Sequence, residues 1–159
     1  MYHIGDRVAH PMHGAGTICA IQEQRCGGER RSYYVLCLLC GGLRLMIPCD
    51  AWEKAGLRPV LSREAAGELV RRFALLDPGE QPHWNQRYRE NMLRIRSGDP
   101  AEVALVVRSL ARRDQSRQLS TGERRLLASA RDILASELAL ALDCGLEEAR
   151  QLLAPLERE

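Results

Sequence analysis

The chain has 159 residues, 45% of them apolar and 28% charged, enough for one domain or two small ones with a buried core. Aromatic residues make up only 4%, so any core must be built mainly from Leu, Ala, Val and Ile. The longest apolar run, Tyr33 to Cys40, is far short of a membrane span, and the first residues carry no secretory pattern; the expectation is a soluble cytoplasmic protein with no membrane partner.

The formal net charge of +2 conceals unequal segments. Residues 84–131 carry a local net of +6, whereas residues 132–159 carry −5. A basic block ahead of an acidic end suits a protein that turns one face to a polyanion. All basic residues except Lys54 are arginine, the better bidentate phosphate ligand, although biased codon usage gives the same ratio.

In chain order, the first 59 residues read as short strands joined by glycine turns. Arg7 to His10 precedes a turn through Pro11 to Gly16, and Thr17 to Ile21 resumes an extended pattern. Gly27-Gly28 and Gly41-Gly42 mark hairpins around the β-rich run Ser32 to Cys40, and Leu43 to Pro48 forms a further strand. Four or five short strands in this space predict a small barrel of SH3 or Tudor type, which removes exposed sheet edges.

From Ser62 the period becomes helical. Ser62 caps a predicted helix to about Leu76, which the Pro/Gly loop at 77–83 ends. Trp84 to about Ser97 forms the next. Asp99-Pro100-Ala101-Glu102 supplies an N-cap, a proline at the first helical position and an early acid. Ser120-Thr121-Gly122-Glu123 is a capping box for a long helix through Leu142, and Leu146 to Leu156 forms a short last helix after Gly145. The fold class expected is α+β, a small β barrel at 1–59 followed by an all-α unit at 60–159.

Enzyme chemistry finds no support in the motifs. The chain has no phosphate-binding glycine loop, nucleophile elbow or paired-carboxylate motif, and His3, His10, His13 and His83 lack companion acids or nucleophiles at a recognisable spacing. Cys37-Leu38-Leu39-Cys40 has the spacing of a metal knuckle, with Cys26 and Cys49 as possible further ligands. In a strand, however, residues 37 and 40 point to opposite faces. The reading is therefore no metal and no cofactor, with Cys19, Cys26, Cys37, Cys40, Cys49 and Cys144 as thiols in a reducing cytosol.

The start of the Trp84 helix carries the strongest chemistry. Trp84, Arg87, Tyr88 and Arg89 combine a flat ring with guanidinium groups, the pair that wedges against bases and neutralises phosphates. The alternative is that Trp84 buries itself against the rest of the protein. Arg112-Arg113 lies near a helix end that favours positive charge, and Arg124-Arg125 in a first turn that disfavours it, which suggests an outside anion. A solvated face with pairs such as Glu90 and Arg94 is the competing reading.

Motifs in order along both halves resemble the CarD/CdnL family of bacterial transcription regulators. They include Gly5-Asp6-Arg7-Val8, His10 to Gly16, Tyr34-Val35-Leu36, Ile47-Pro48, Gly56-Leu57-Arg58, Trp84 to Tyr88, Ser97-Gly98-Asp99, Val106 to Leu110, Arg112-Arg113-Asp114-Gln115, Leu119 to Glu123 and Ile133 to Ala139. The first half also resembles the polymerase-interacting module of the transcription-repair coupling factor. The resemblance implies a Tudor-like barrel that grips the lobe of the RNA polymerase β subunit through Gln24 or Arg25, Arg44, Met46 and Pro48. It further implies that the helical unit, acting as a monomer, contacts promoter DNA largely without sequence readout. Trp84 would enter the minor groove at the upstream edge of the bubble, with Arg87 and Arg89 touching the backbone nearby; Tyr88, Arg112, Arg113, Arg124 and Arg125 join the expected DNA-facing set from the residue reading above. Met46 stands where relatives often carry an Arg, and Gln86 replaces a basic residue, so weaker contacts are expected at both places. Competing functions are a protein-interaction adaptor without DNA contact and a sequence-specific DNA-binding regulator.

Overall fold

A computed structural model describes residues 1–80 and 83–158. Of the loop read at 77–83, Gln81 and Pro82 lie outside the described residues. Five strands, β1 (Arg7–His10), β2 (Gly14–Cys26), β3 (Glu29–Leu38), β4 (Arg44–Pro48) and β5 (Arg58–Pro59), form one antiparallel sheet in the order β4-β3-β2-β1-β5. The hydrogen-bonded ladder is open, with β4 and β5 at its ends among the described residues. Instead of full ladder closure, side chains fill the concavity: Val8, Ile18, Tyr34, Leu36, Leu38 and Ile47 form a core with Tyr2 and Leu57, and Trp52 packs against it. This is the expected Tudor-like β unit followed by helices.

The turn chemistry explains the register. Gly27 and Gly28 both have positive φ and close a two-residue hairpin between Cys26 and Glu29. β2 therefore begins earlier and runs longer than its sequence pattern suggests, because the loop before it ends at Gly14. A bulge falls between Ile18 and Ala20, which face Leu36 and Val35.

The helices are α1 (Arg63–Arg72), α2 (Trp84–Arg96), α3 (Pro100–Ser116), α4 (Thr121–Leu142), α5 (Leu146–Leu152) and α6 (Ala154–Glu157), with a 3-10 turn at Phe73–Leu75. Ser62, Asp99 and Ser120 each accept a backbone N–H at a helix start, as their sequence positions predict. α4 ends where Asp143 adopts the left-handed conformation, two residues before the glycine taken as its stop. The last predicted helix is two, α5 and α6, because Pro155 falls just inside α6, where it starts a helix more readily than it continues one. Their second core joins Phe73, Ile95, Val106, Val107, Leu110, Leu134, Leu138 and Leu156.

Sheet and helices meet along α4. The backbone at Gly14 comes so close that an added Cβ would lie 2.7 Å from Ser136 Oγ and 3.2 Å from Ile133 Cα. Ala15 N–H donates to Ser136 Oγ at 2.9 Å, and Arg7 reaches the C-terminal end of α4, bonding the Leu140 carbonyl and Asp143. Arg58 on β5 makes a bidentate pair with the buried Glu137. Ser136→Ala leaves the buried Ala15 N–H without its acceptor and is expected to lower stability by about 1–2 kcal/mol in urea unfolding. A loss below about 0.3 kcal/mol would mean that water replaces the hydroxyl.

Candidate nucleic-acid interface

Trp84 is the first residue of α2, directly after the extended His83. Its ring stacks on Tyr88 one turn later, with centroids 5.4 Å apart and planes inclined by 15°. The indole N–H donates to Ser120 Oγ at 3.3 Å, the same hydroxyl that caps α4. One ring face is thus covered and the polar edge is held, yet the residue stays 47% exposed. Burial against the rest of the protein, the alternative reading of the sequence, does not describe this side chain. The arrangement fixes an aromatic blade at the surface at low entropic cost, because the ring is already ordered before it meets a partner.

Arg87 is not at that surface. It is 3% exposed, and its guanidinium forms a bidentate pair with Glu123, Nε to Oε2 at 2.8 Å and Nη2 to Oε1 at 3.3 Å. The expectation that Arg87 meets phosphate is therefore corrected. The buried stripe of α2 is Arg87, Asn91 and Ile95, so the arginine points at the α4 start rather than at solvent. Burial works to raise the Glu123 pKa, but hydrogen bonding to Arg87, its charge, Arg113 and the Ser120 backbone outweigh it and leave the carboxyl below its ordinary value. Ser120 Oγ also donates to Glu123 Oε1 at 3.4 Å. A continuous relay thus runs from the Trp84 indole through Ser120 to the Arg87–Glu123 pair. The sequence identified Ser120 and Glu123 only as cap residues; it gave no signal of their link to Trp84 and Arg87.

The remaining arginines divide by exposure. Arg89, Arg124 and Arg125 are exposed, and Arg125 lines a groove of about 300 Å³ with Tyr88, Met92 and Ile95. Arg112 and Arg113 are half-buried and line, with Arg87, Pro78 and Gly79, a cavity of about 130 Å³. Arg112 lies 3.6 Å from Asp77. Gln86, at the departure from the basic pattern, is exposed and bonds Glu90 at 3.1 Å. Arg94 pairs with Glu102 at 3.5 Å, an ion pair between α2 and α3.

The residues read as facing polymerase separate in a definite way. Directly opposed residues share a sheet face, and faces alternate along a strand. Arg44 faces Cys37, Met46 faces Val35, Pro48 faces Tyr33 and Gln24 faces Arg31, so Arg44, Met46, Pro48 and Gln24 occupy one face. Gln24 Nε2 lies 3.7 Å from Met46 Sδ. Arg25, opposite Arg30, is on the other face. Cys19 and Cys37 form a disulfide on the same face as Arg44 and Met46, with Cα atoms 6.1 Å apart. This corrects the reading of all six cysteines as thiols; Cys26, Cys40, Cys49 and Cys144 are free. Thr17 stands opposite Cys37, and alternation puts Cys19, two residues further along β2, on the same face; the bulge then brings Ala20 to that face as well.

Comparison with known proteins assigns both halves. Residues 2–61 match the family model described as the CarD-like/TRCF RID domain, and residues 73–154 match that of the CarD C-terminal domain. The chain belongs to the CarD/CdnL family. The first CarD family model spans all five strands, while the second runs from the 3-10 turn through α5 and contains the Trp84 site. A relative from Bacillus subtilis (strain 168), named "Putative transcription factor YdeB", is 35% identical over 138 residues, covering 87% of this chain and 90% of the relative. As a member of the CarD family the chain is a transcription regulator, and the family evidence points away from an enzyme. Among the described residues no helix is long and apolar enough to cross a membrane.

Proposed function

We propose that the protein binds the lobe of the RNA polymerase β subunit through its sheet, as residues 1–59, and stabilises the promoter open complex through its helices, as residues 60–159. The observation that carries this reading is the exposed Trp84, ordered on Tyr88 and Ser120 at a helix start. Trp84 acts as a wedge at the upstream edge of the bubble, entering the minor groove and opposing reannealing. Arg89, Arg124 and Arg125 supply exposed charge for the phosphates, with Arg112 and Arg113 as partly covered contributors. Arg87 and Tyr88 hold the wedge in place. Gln24, Arg44, Met46 and Pro48 form the polymerase-facing surface. The site of action is the bacterial cytoplasm, on the nucleoid, and the protein acts as a monomer without a cofactor.

The mechanism is one of differential binding rather than catalysis. A protein that binds polymerase and promoter better when the DNA is open shifts that equilibrium tenfold for each ~1.4 kcal/mol of preference. Stacking of an aromatic ring on a base is worth about 1–3 kcal/mol, which corresponds to roughly 5- to 150-fold. Phosphate and minor-groove contacts carry little sequence information, so binding to duplex DNA without polymerase is expected to be weak and unspecific.

The test is the lifetime of the open complex after competitor challenge with cognate RNA polymerase. Trp84→Ala removes an exposed stack, so it is expected to cost less than about 1.5 kcal/mol of stability and leave the fold intact. The wild-type protein is expected to lengthen the lifetime and the folded variant to fail. Equal lifetimes with both proteins would leave an adaptor without DNA contact as the better reading; a footprint on bare operator DNA would favour a sequence-specific regulator.

A further inference from the structure

We propose that Cys19 and Cys37 are a reversible redox switch in the polymerase-facing surface of the sheet, with the disulfide form the better binder. The inference rests on the reading of that surface given above. Cys37 stands directly opposite Arg44 on β4, and Val35, two residues earlier on the same face, stands opposite Met46. The disulfide thus lies in the same patch as two of the side chains assigned to the partner. It also ties the one irregular point of the β2–β3 ladder, because the bulge falls at Cys19 between the Ile18–Leu36 and Ala20–Val35 pairs.

The fold does not depend on that tie. Register runs from Gly16–Leu38 to Ile18–Leu36 on one side of the bulge and from Ala20–Val35 to Cys26–Glu29 on the other. Reduction therefore frees a local kink without undoing the sheet. A bulge re-aims its neighbours, so the freed segment samples orientations that the crosslinked surface excludes.

Access and chemistry are both adequate. Cys19 is exposed, whereas Cys37 is half-buried. A thiolate of a protein or small-molecule dithiol attacks the Cys19 sulfur, the S–S bond breaks, and Cys37 leaves as a thiolate and takes up a proton. The second thiol of the reductant then attacks the mixed disulfide and releases Cys19. Two electrons and two protons pass to the chain, and the dithiol leaves as its own disulfide. Oxidation by a disulfide such as oxidised glutathione reverses the sequence, releasing two thiols. None of the four other cysteines is needed for either direction.

The experiment measures binding of the full-length chain to cognate RNA polymerase after equilibration with oxidised glutathione or with dithiothreitol, with Cys19→Ser/Cys37→Ser and Cys26→Ser carried alongside. Peptide mapping without reductant is expected to find the 19–37 link in the oxidised wild type. Reduction is expected to weaken its binding by about threefold to tenfold through lost preorganisation. The double variant should bind like the reduced wild type and ignore the redox state, while Cys26→Ser should respond as the wild type does. Six free thiols under oxidising conditions, or one dissociation constant for all forms, would overturn the switch and leave the polymerase reading standing. If no form binds polymerase, that reading falls and the switch falls with it.

Discussion

Glu123→Gln is expected to destabilise the protein by about 3 kcal/mol, and Glu123→Ala by up to about 5 kcal/mol, although Glu123 faces neither solvent nor a proposed partner. Both members of the Arg87–Glu123 pair are nearly inaccessible, at 3% and 2%. Alanine strands a guanidinium that has lost its compensating charge and both of its hydrogen bonds to Glu123, whereas glutamine removes the charge and one acceptor but keeps an amide oxygen for Arg87. For a chain of this length, such a loss lowers Tm by roughly 10 °C. Urea unfolding followed by far-UV circular dichroism is the direct measurement. The double replacement Arg87→Met/Glu123→Leu removes both charges and should recover most of the loss, because apolar side chains of similar volume can replace a buried ion pair. If the single and double variants lose equal amounts, the cost lies in packing rather than in the stranded charge.

The same pair sets an acid limit. The folded Glu123 carboxyl is held below its ordinary value near 4.5, so the unfolded chain binds its proton more readily. The resulting stabilisation is complete above that ordinary value and is lost as pH falls through the folded value. Stability contributed by this group should therefore be flat between pH 7 and about 5 and should decline below that, a decline that Glu123→Gln lacks. Stability curves of equal slope for wild type and variant across the acid range would contradict the assignment.

Why did the sequence reveal Trp84 but misplace Arg87? Helix starts are written locally: Ser62, Asp99 and Ser120 are short polar side chains ahead of apolar periods, and each caps as expected. The start of α2 has no such cap, since His83 makes no side-chain cap bond; Trp84 was legible there because the Pro/Gly loop before it ends the preceding helix. Which face of α2 turns inward was not, because two of its three buried residues, Arg87 and Asn91, are polar, while Leu93 is 60% exposed. Hydrophobic periodicity cannot identify a face whose interior is made by an ion pair. The disulfide was hidden for a related reason. β3 ends at Leu38, so strand parity does not govern Cys40; alternation does put Cys19 on the face of Thr17, but nothing in the local sequence marks the register that sets Thr17 opposite Cys37. Proximity across strands, rather than spacing along the chain, made the pair.

Glu137→Ala is the second change expected to have a large effect, and it acts on the joint between sheet and helices. Glu137 is 3% exposed; Oε1 and Oε2 accept from Arg58 Nη2 and Nη1 at 2.7 and 2.6 Å, and Oε2 accepts from the Leu61 N–H at 2.9 Å. Arg58 also donates to the Gly98 carbonyl, so a single guanidinium fastens β5 to α4 and to the turn between α2 and α3. Without Glu137 the Leu61 N–H loses its acceptor and Arg58 keeps only carbonyl partners; the expected cost is about 3–5 kcal/mol. Because the two apolar cores are otherwise separate clusters, the loss should also uncouple them, seen as a lower urea m-value or, in a Trp84→Phe background where Trp52 is the remaining indole, as distinct transitions by fluorescence and by helical ellipticity. Under the proposed function, a wedge is useful only while its anchor holds it in position. Glu137→Ala should therefore shorten the open-complex lifetime with Trp84 intact and with polymerase binding retained. A single transition of unchanged slope together with a wild-type lifetime would assign the coupling to the close approach of Gly14 to Ile133 and Ser136 instead.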